Sequence, residues 1–344
     1  MSDRVVVLIT FELAPELVNQ IWAVDPRVEV LYEPGLVGRP RFACDHLGPI
    51  HRTPAQERRW QELLAQAEIL FGFDHSHPDD LLQKAPGLKW VQSTSAGVGA
   101  WAQRAGLAEA GVKLTTASGI HATALAEFAL MAMLLFAKDG LGLLREQKHK
   151  RWARFTGGEL AGKTLGIVGL GRIGREVARL GRCLGMRTLG AKRTTAGLSA
   201  QSLGVDALVD GAGLAPLLAQ SDYLVISCPH TPETTGLIGA AELALMKPEA
   251  VLINVARGAI VDEPALIDAL RSDRLKGAAL DVTAVEPLPA ASPLWELDNI
   301  LLSPHSGSNV DSENHALTGL FCDNLQRYLA GEPLRNLLDP ARGY

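Results

Sequence analysis

The chain is poor in cysteine, carries no excess of positive charge and has no long uninterrupted apolar run. Four cysteines occur in 344 residues. Cys44, Cys183, Cys228 and Cys322 are far apart and form no CxxC pair, which excludes a disulfide framework and gives neither a zinc nor a thiol-redox motif. No metal is expected. Reduced thiols in a cytoplasmic protein are the reading. Lys and Arg (33) fall below Asp and Glu (38), a net charge of −5, so the basic face that nucleic acid requires is missing. The longest apolar stretch, Leu125 to Ala137, contains Glu127 and falls short of the about 20 residues that span a bilayer. Val5 to Ile9, near the N-terminus, is too short and wrongly flanked for a signal peptide. Neither a nucleic acid nor a membrane is expected as a partner.

What is present is a globular balance. Apolar residues make up 47% of the chain, which excludes disorder, and the length exceeds what one core usually supports, so two domains are expected. Short apolar strands alternate with helices. The first series runs through Val5–Ile9, Val28–Leu31, Ile69–Phe73, Leu88–Ser93 and Val112–Thr115, with a helix starting at Pro15 and another after Thr53. A helix over Thr123–Lys138 has apolar residues all round and reads as buried on most sides. The second series runs through Thr164–Val168, Thr188–Ala191, Tyr223–Ser227, Val251–Val255, Gly277–Asp281 and Ile300–Ser303, followed by a helix from about Ser312 to Ala330. The pattern predicts an α/β protein with two Rossmann-like, doubly wound parallel-sheet domains.

The segment Thr164-Leu-Gly-Ile-Val-Gly169-Leu-Gly171-Arg172-Ile173-Gly174 is a strand, a glycine turn and a helix start. Gly169 permits the tight turn, Gly171 lets backbone approach a pyrophosphate, and Gly174 lets the helix pack close to the strand. The helix N-terminus offers free N–H groups to the anion. Three further segments each place an ionisable residue just past a predicted strand: Arg257 after Val251–Val255, Glu286 after Gly277–Asp281, and His305 after Ile300–Ser303. Ligands of open parallel sheets bind at that edge, so the three residues are expected to converge. Singly, such residues are more often a surface ion pair, a loop charge or a turn cap.

Asn254-Val-Ala-Arg257-Gly258, Leu280-Asp281-Val with Glu286-Pro287-Leu288, and Pro304-His305 follow the glycine turn in order, and together they resemble the D-isomer-specific 2-hydroxyacid dehydrogenase family. The resemblance extends to Ala126-Glu127, Cys228-Pro229-His-Thr231-Pro-Glu-Thr234 and Gly331-Glu-Pro-Leu, and covers most of the chain from Ala85 onward. It implies a split substrate domain, 1–120 plus 310–344, around an inserted dinucleotide domain, 121–309. It also implies a homodimer formed through the long helix, and reversible reduction of a small 2-keto acid to a D-2-hydroxy acid. His305 would be the acid, Glu286 its hydrogen-bonded partner and Arg257 the clamp on the substrate's carboxylate and carbonyl. Backbone N–H groups of Ala96 and Gly97 would bind the substrate carboxylate. Arg172, Ile173, Cys228, Pro229, Thr234, Val255, Ala256, Arg257, Asp281 and His305 would join the glycines around the cofactor, with Asp281 at the nicotinamide. His75 or His121 would be further pocket residues. Trp152 would be either a residue facing a partner's pocket or an ordinary core or surface tryptophan.

NAD-specific turns carry an acid at the end of the second strand, about 20 residues past the glycines, to bind the ribose hydroxyls. Here Lys192 stands in that place, followed by Arg193, and the next carboxylate in sequence is Asp206. The pair predicts NADP over NAD. Two alternatives remain at this stage: a formate or phosphite dehydrogenase relative, against which Glu286 argues, and a non-catalytic dinucleotide sensor resembling the C-terminal-binding corepressors.

Overall fold

The computed structural model describes residues 4–195, 197–209 and 213–339, with the side chains of Gly99 and Ala100 left aside. The chain divides into two compact units, residues 1–121 with 309–344, and residues 122–308.

The first unit is built on a five-stranded sheet of β1 (Val5–Ile9), β2 (Val28–Leu31), β3 (Ile69–Phe71), β4 (Trp90–Gln92) and β5 (Lys113–Thr115). All its pairings are parallel and the order is β2-β1-β3-β4-β5. β1 and β3 are buried along almost their whole length, which explains their continuous apolar runs. The helix Pro54–Leu64 begins at a complete capping box, Thr53 with Gln56, as the Thr-Pro start predicts. The helix Glu313–Ala330 returns to this unit and packs Leu317, Phe321 and Leu325 into its core.

The second unit holds a seven-stranded parallel sheet: β6 (Thr164–Val168), β7 (Arg187–Ala191), β8 (Ala207–Val209), β9 (Tyr223–Ile226), β10 (Val251–Asn254), β11 (Gly277–Leu280) and β12 (Ile300–Leu302). Its order, β12-β11-β10-β9-β6-β7-β8, reverses direction between β6 and β9. That is the doubly wound arrangement, with its ligand crevice expected beyond the carboxyl ends of β6 and β9. Apolar clusters cover both faces.

Two features depart from expectation. The strand β8 is an edge of three half-buried residues, too short to leave a periodic signal. The helix Ala122–Ala137 is buried on most sides, as expected, but one face stays open. It presses Ala126, Ala129, Ala132 and Met133 into the core, but Met131 and Leu134 stay 48% and 40% exposed. Leu143 and Leu144 on the helix Gly140–Lys148, which the sequence pattern did not reveal, and Trp152 and Phe155 after it are also exposed. Trp152 is 99% exposed, which excludes a core role.

Candidate active site at the carboxyl edge of the seven-stranded sheet

The residues just past β6, β7, β9, β10, β11 and β12 are Gly169, Lys192, Ser227-Cys228, Val255 to Arg257, Asp281 and Ser303 to His305. A parallel sheet therefore puts the second unit's expected site residues along one edge. At the switch point, Gly169 has φ +99 and lies so near Cys228 that a Cβ on it would come within 2.5 Å of the Cys228 amide nitrogen. Gly174 is equally constrained, since a Cβ there would clash with the Gly169 carbonyl and meet Ser227 Oγ at 2.8 Å. Gly171 is different. It caps the helix Arg172–Cys183, and no heavy atom lies within 4 Å of where its Cβ would be. The turn is thus tight on the protein side and open on the helix N-terminal side, as a phosphate cradle requires. Burial pushes the Cys228 thiol up to about 11, so it lines this turn as an inert group. Thr234 Oγ1 donates to the Pro229 carbonyl at 2.9 Å and shapes the adjoining loop.

His305 Nδ1 lies 2.7 Å from Glu286 Oε2. The other Glu286 oxygen accepts from the Thr283 amide at 3.1 Å. His305 has φ +52, a backbone region that non-glycine residues seldom occupy. Asp281 explains how that conformation is held. Its buried Oδ1 accepts from Ser303 Oγ (2.6 Å) and from the amides of Ser306 (2.9 Å) and Gly307 (2.7 Å), while its carbonyl takes the His305 amide at 2.9 Å. Among the described residues nothing bonds His305 Nε2, and the side chain is 44% exposed. Arg257 is exposed, and its backbone is locked by Asn254, whose Nδ2 donates to the Arg257 carbonyl at 2.9 Å and whose Oδ1 accepts from the Ala256 amide at 3.0 Å. A proton donor with a fixed tautomer and a cationic fork thus stand two strands apart, after β12 and β10, on the same edge of one sheet.

Lys192 and Arg193 follow β7 as expected. Asp206, the next acid in sequence, is committed elsewhere: it accepts from the Thr188 amide at 2.8 Å and from its hydroxyl at 2.9 Å, at the opposite end of β7. The fold brings in another acid that linear reading passed over. Glu233 is held below the usual carboxylate range, first by the Thr231 hydroxyl and, less strongly, by the charge of Arg193.

In the first unit, Ala96 and Gly97 lie in the exposed loop after β4, and their amides make no hydrogen bond among the described residues. His75 follows β3 and sits edge-on to Phe73, with ring centroids 5.9 Å apart. It is framed by a network the sequence did not disclose. Asp74 is buried and accepts from Trp60 Nε1 (3.2 Å), the Ser76 amide (3.0 Å) and His77 Nδ1 (2.7 Å). His77 Nε2 reaches Glu57 at 2.9 Å. His121 is engaged by Glu313 at 3.1 Å, a structural partnership.

A glycine turn at the switch point of a doubly wound sheet, with a His–Glu pair and an arginine along the same edge, is the equipment of a dinucleotide-dependent oxidoreductase. Comparison with known proteins gives the family. The model of the D-isomer-specific 2-hydroxyacid dehydrogenase NAD-binding domain matches residues 130–307. Glyoxylate/hydroxypyruvate reductase B of Pectobacterium carotovorum is 36% identical over 283 residues, covering 80% of this chain and 87% of that protein. D-3-phosphoglycerate dehydrogenase of Methanocaldococcus jannaschii is 34% identical over 76% of this chain, which spans only about half (49%) of that relative's length. Among solved structures, the NADPH-dependent glyoxylate/hydroxypyruvate reductase of Sinorhizobium meliloti, in complex with NADP and sulfate, superposes with a TM-score of 0.79 at 28% identity, over 99% of this chain and 100% of that one. The chain belongs to the D-isomer-specific 2-hydroxyacid dehydrogenase family. It is an NAD(P)-dependent oxidoreductase acting on the CH–OH group of 2-hydroxy acids, read in the reverse direction as 2-keto acid reduction.

Proposed function

We propose that the protein reduces a small 2-keto acid, of the glyoxylate or hydroxypyruvate kind, to the D-2-hydroxy acid with NADPH. The observation that carries this reading is the 2.7 Å contact of His305 Nδ1 with Glu286, which leaves Nε2 to deliver the proton to the alkoxide. Residues 122–308 serve as the dinucleotide domain, and the split remainder as the substrate domain. Bound cofactor supplies the hydride. The Gly169–Gly174 turn, with Arg172 and Ile173 at its helix start, holds the pyrophosphate. Val255, Ala256, Cys228, Pro229 and Thr234 would line the nucleotide, and Asp281 would stand at the nicotinamide. Arg257 polarises the keto group, and the free amides of Ala96 and Gly97 take the substrate carboxylate. Lys192 favours a 2′-phosphate. Arg193 adds to it while sharing its charge with Glu233.

Charge-assisted bonds contribute roughly 1.5–3 kcal/mol each, less where water screens them, so one or two favour NADPH by about tenfold to a few hundredfold. The protein works as a homodimer through the long helix Ala122–Ala137, whose open face exposes Met131 and Leu134, and in the cytoplasm, consistent with four free cysteines. No described helix is long and apolar enough to cross a membrane. The test is loss of reduced-nicotinamide absorbance with a panel of 2-keto acids and both cofactors. NADPH-dependent turnover of a small 2-keto acid is expected. Binding of NADPH with no turnover on any of them would favour the dinucleotide sensor instead. A cofactor ratio unmoved in Lys192→Asp/Arg193→Ala would remove those residues from selection.

A further inference from the structure

Glu286 sits in an exposed loop, Ala284–Pro287, and something must hold that loop at the right height for His305. Within the loop, the Thr283 amide binds Glu286 Oε1 and the Thr283 hydroxyl donates to the Val285 carbonyl at 2.9 Å. These bonds set its shape but not its position. Two contacts tie it to the segment that carries Arg257. Gly258 abuts the Thr283 carbonyl group so closely that a Cβ would collide with it, and would come within 2.5 Å of the Ala284 nitrogen. Glu263, the first residue of the helix Glu263–Arg271, accepts the Ala284 amide on Oε2 at 2.9 Å. A cavity of about 10 Å³ adjoins Glu263, bordered also by Gly258, Val261 and Val282.

We propose that Glu263 is a positioning residue for the reaction: by accepting the Ala284 amide it fixes the Glu286 loop against the Arg257 turn, and so sets the register between the His305–Glu286 pair and the substrate clamp. This rests on the roles given above to His305, Glu286 and Arg257. The helix start is a firm base for such a brace, because Asp262 caps it through the Ala265 amide at 3.1 Å. A carboxylate accepting a backbone N–H makes a short, directional bond, and misplacement of a reacting group by about 1 Å costs up to about a hundredfold in rate.

The experiment compares Glu263→Ala, Glu263→Gln and His305→Ala for kcat, KM, NADPH affinity by fluorescence and melting temperature. Glu263→Ala is expected to lower kcat roughly ten- to hundredfold while NADPH affinity stays within about twofold of wild type. Glu263→Gln keeps an oxygen acceptor and is expected to restore most of the rate. Wild-type kcat in Glu263→Ala, or an equal loss in Ala and Gln, would overturn the inference. A loss in Glu263→Ala matched by an equal loss of NADPH affinity would overturn it too, as general damage to the domain. If His305→Ala keeps its turnover, the reading of the site has failed and the role of Glu263 falls with it; full loss in His305→Ala beside an unaffected Glu263→Ala would overturn the brace alone.

Discussion

Arginine at position 257 is a choice of shape as much as of charge. Its planar fork suits two oxygens of a 2-keto acid, and a lysine offers only a point charge. Arg257→Lys is therefore expected to lower kcat/KM by roughly 10²-fold or more with little change in NADPH affinity. Equal losses in both would place Arg257 at the cofactor. His77 gives a prediction of another kind. Its native value is raised above the ordinary 6.5, chiefly by the Asp74 hydrogen bond and further by the charges of Asp74 and Glu57. A raised histidine contributes stability that is complete below the unfolded value and disappears as pH climbs through the native one. The melting-temperature gap between wild type and His77→Gln should accordingly be largest below about pH 6.5 and shrink on the alkaline side. A gap that widens with rising pH would contradict this. Individual residues were legible where a strand end announced them, as at Arg257, Glu286 and His305. Glu263, Glu233 and Asp74 were not, because Ala284, Arg193 and Trp60, the partners that give them meaning, reach them only in the folded chain.

At the level of the element, the glycine turn shows how much a short motif can specify. Gly169 and Gly174 are required by contacts with Cys228 and with each other, while Gly171 faces open space. Gly174→Ala should therefore cost about 1–3 kcal/mol, as overpacking does, and weaken NADPH binding at least tenfold. A melting scan and a fluorescence titration read both, and unchanged values would mean the helix does not pack as closely as described. Strands of four or five apolar residues were readable, and so was the Thr53 capping box. β8 was not, because three half-buried residues at a sheet edge leave no periodicity to read. The helix Gly140–Lys148 was hidden for a different reason: its glycine and leucine fill the first half and Arg145-Glu-Gln-Lys148 the second, with no polar–apolar alternation, and its start depends on Asp139 in a left-handed conformation, capping Gly142.

For the whole molecule, two βα series were visible because buried parallel strands leave apolar runs that no surface constraint interrupts. The exposed side of the helix Ala122–Ala137 was not visible, since a helix that is apolar all round looks buried whether its outer face meets the core or a second copy. The central claim is that this fold places His305 to deliver a proton during hydride transfer to a 2-keto acid. The most direct test is the steady-state rate of NADPH oxidation by wild type and His305→Ala on the best keto acid of the panel, at saturating NADPH. A fall in kcat of roughly 10²–10⁴-fold with NADPH affinity preserved is the expected result. Near-wild-type turnover in His305→Ala would contradict the account.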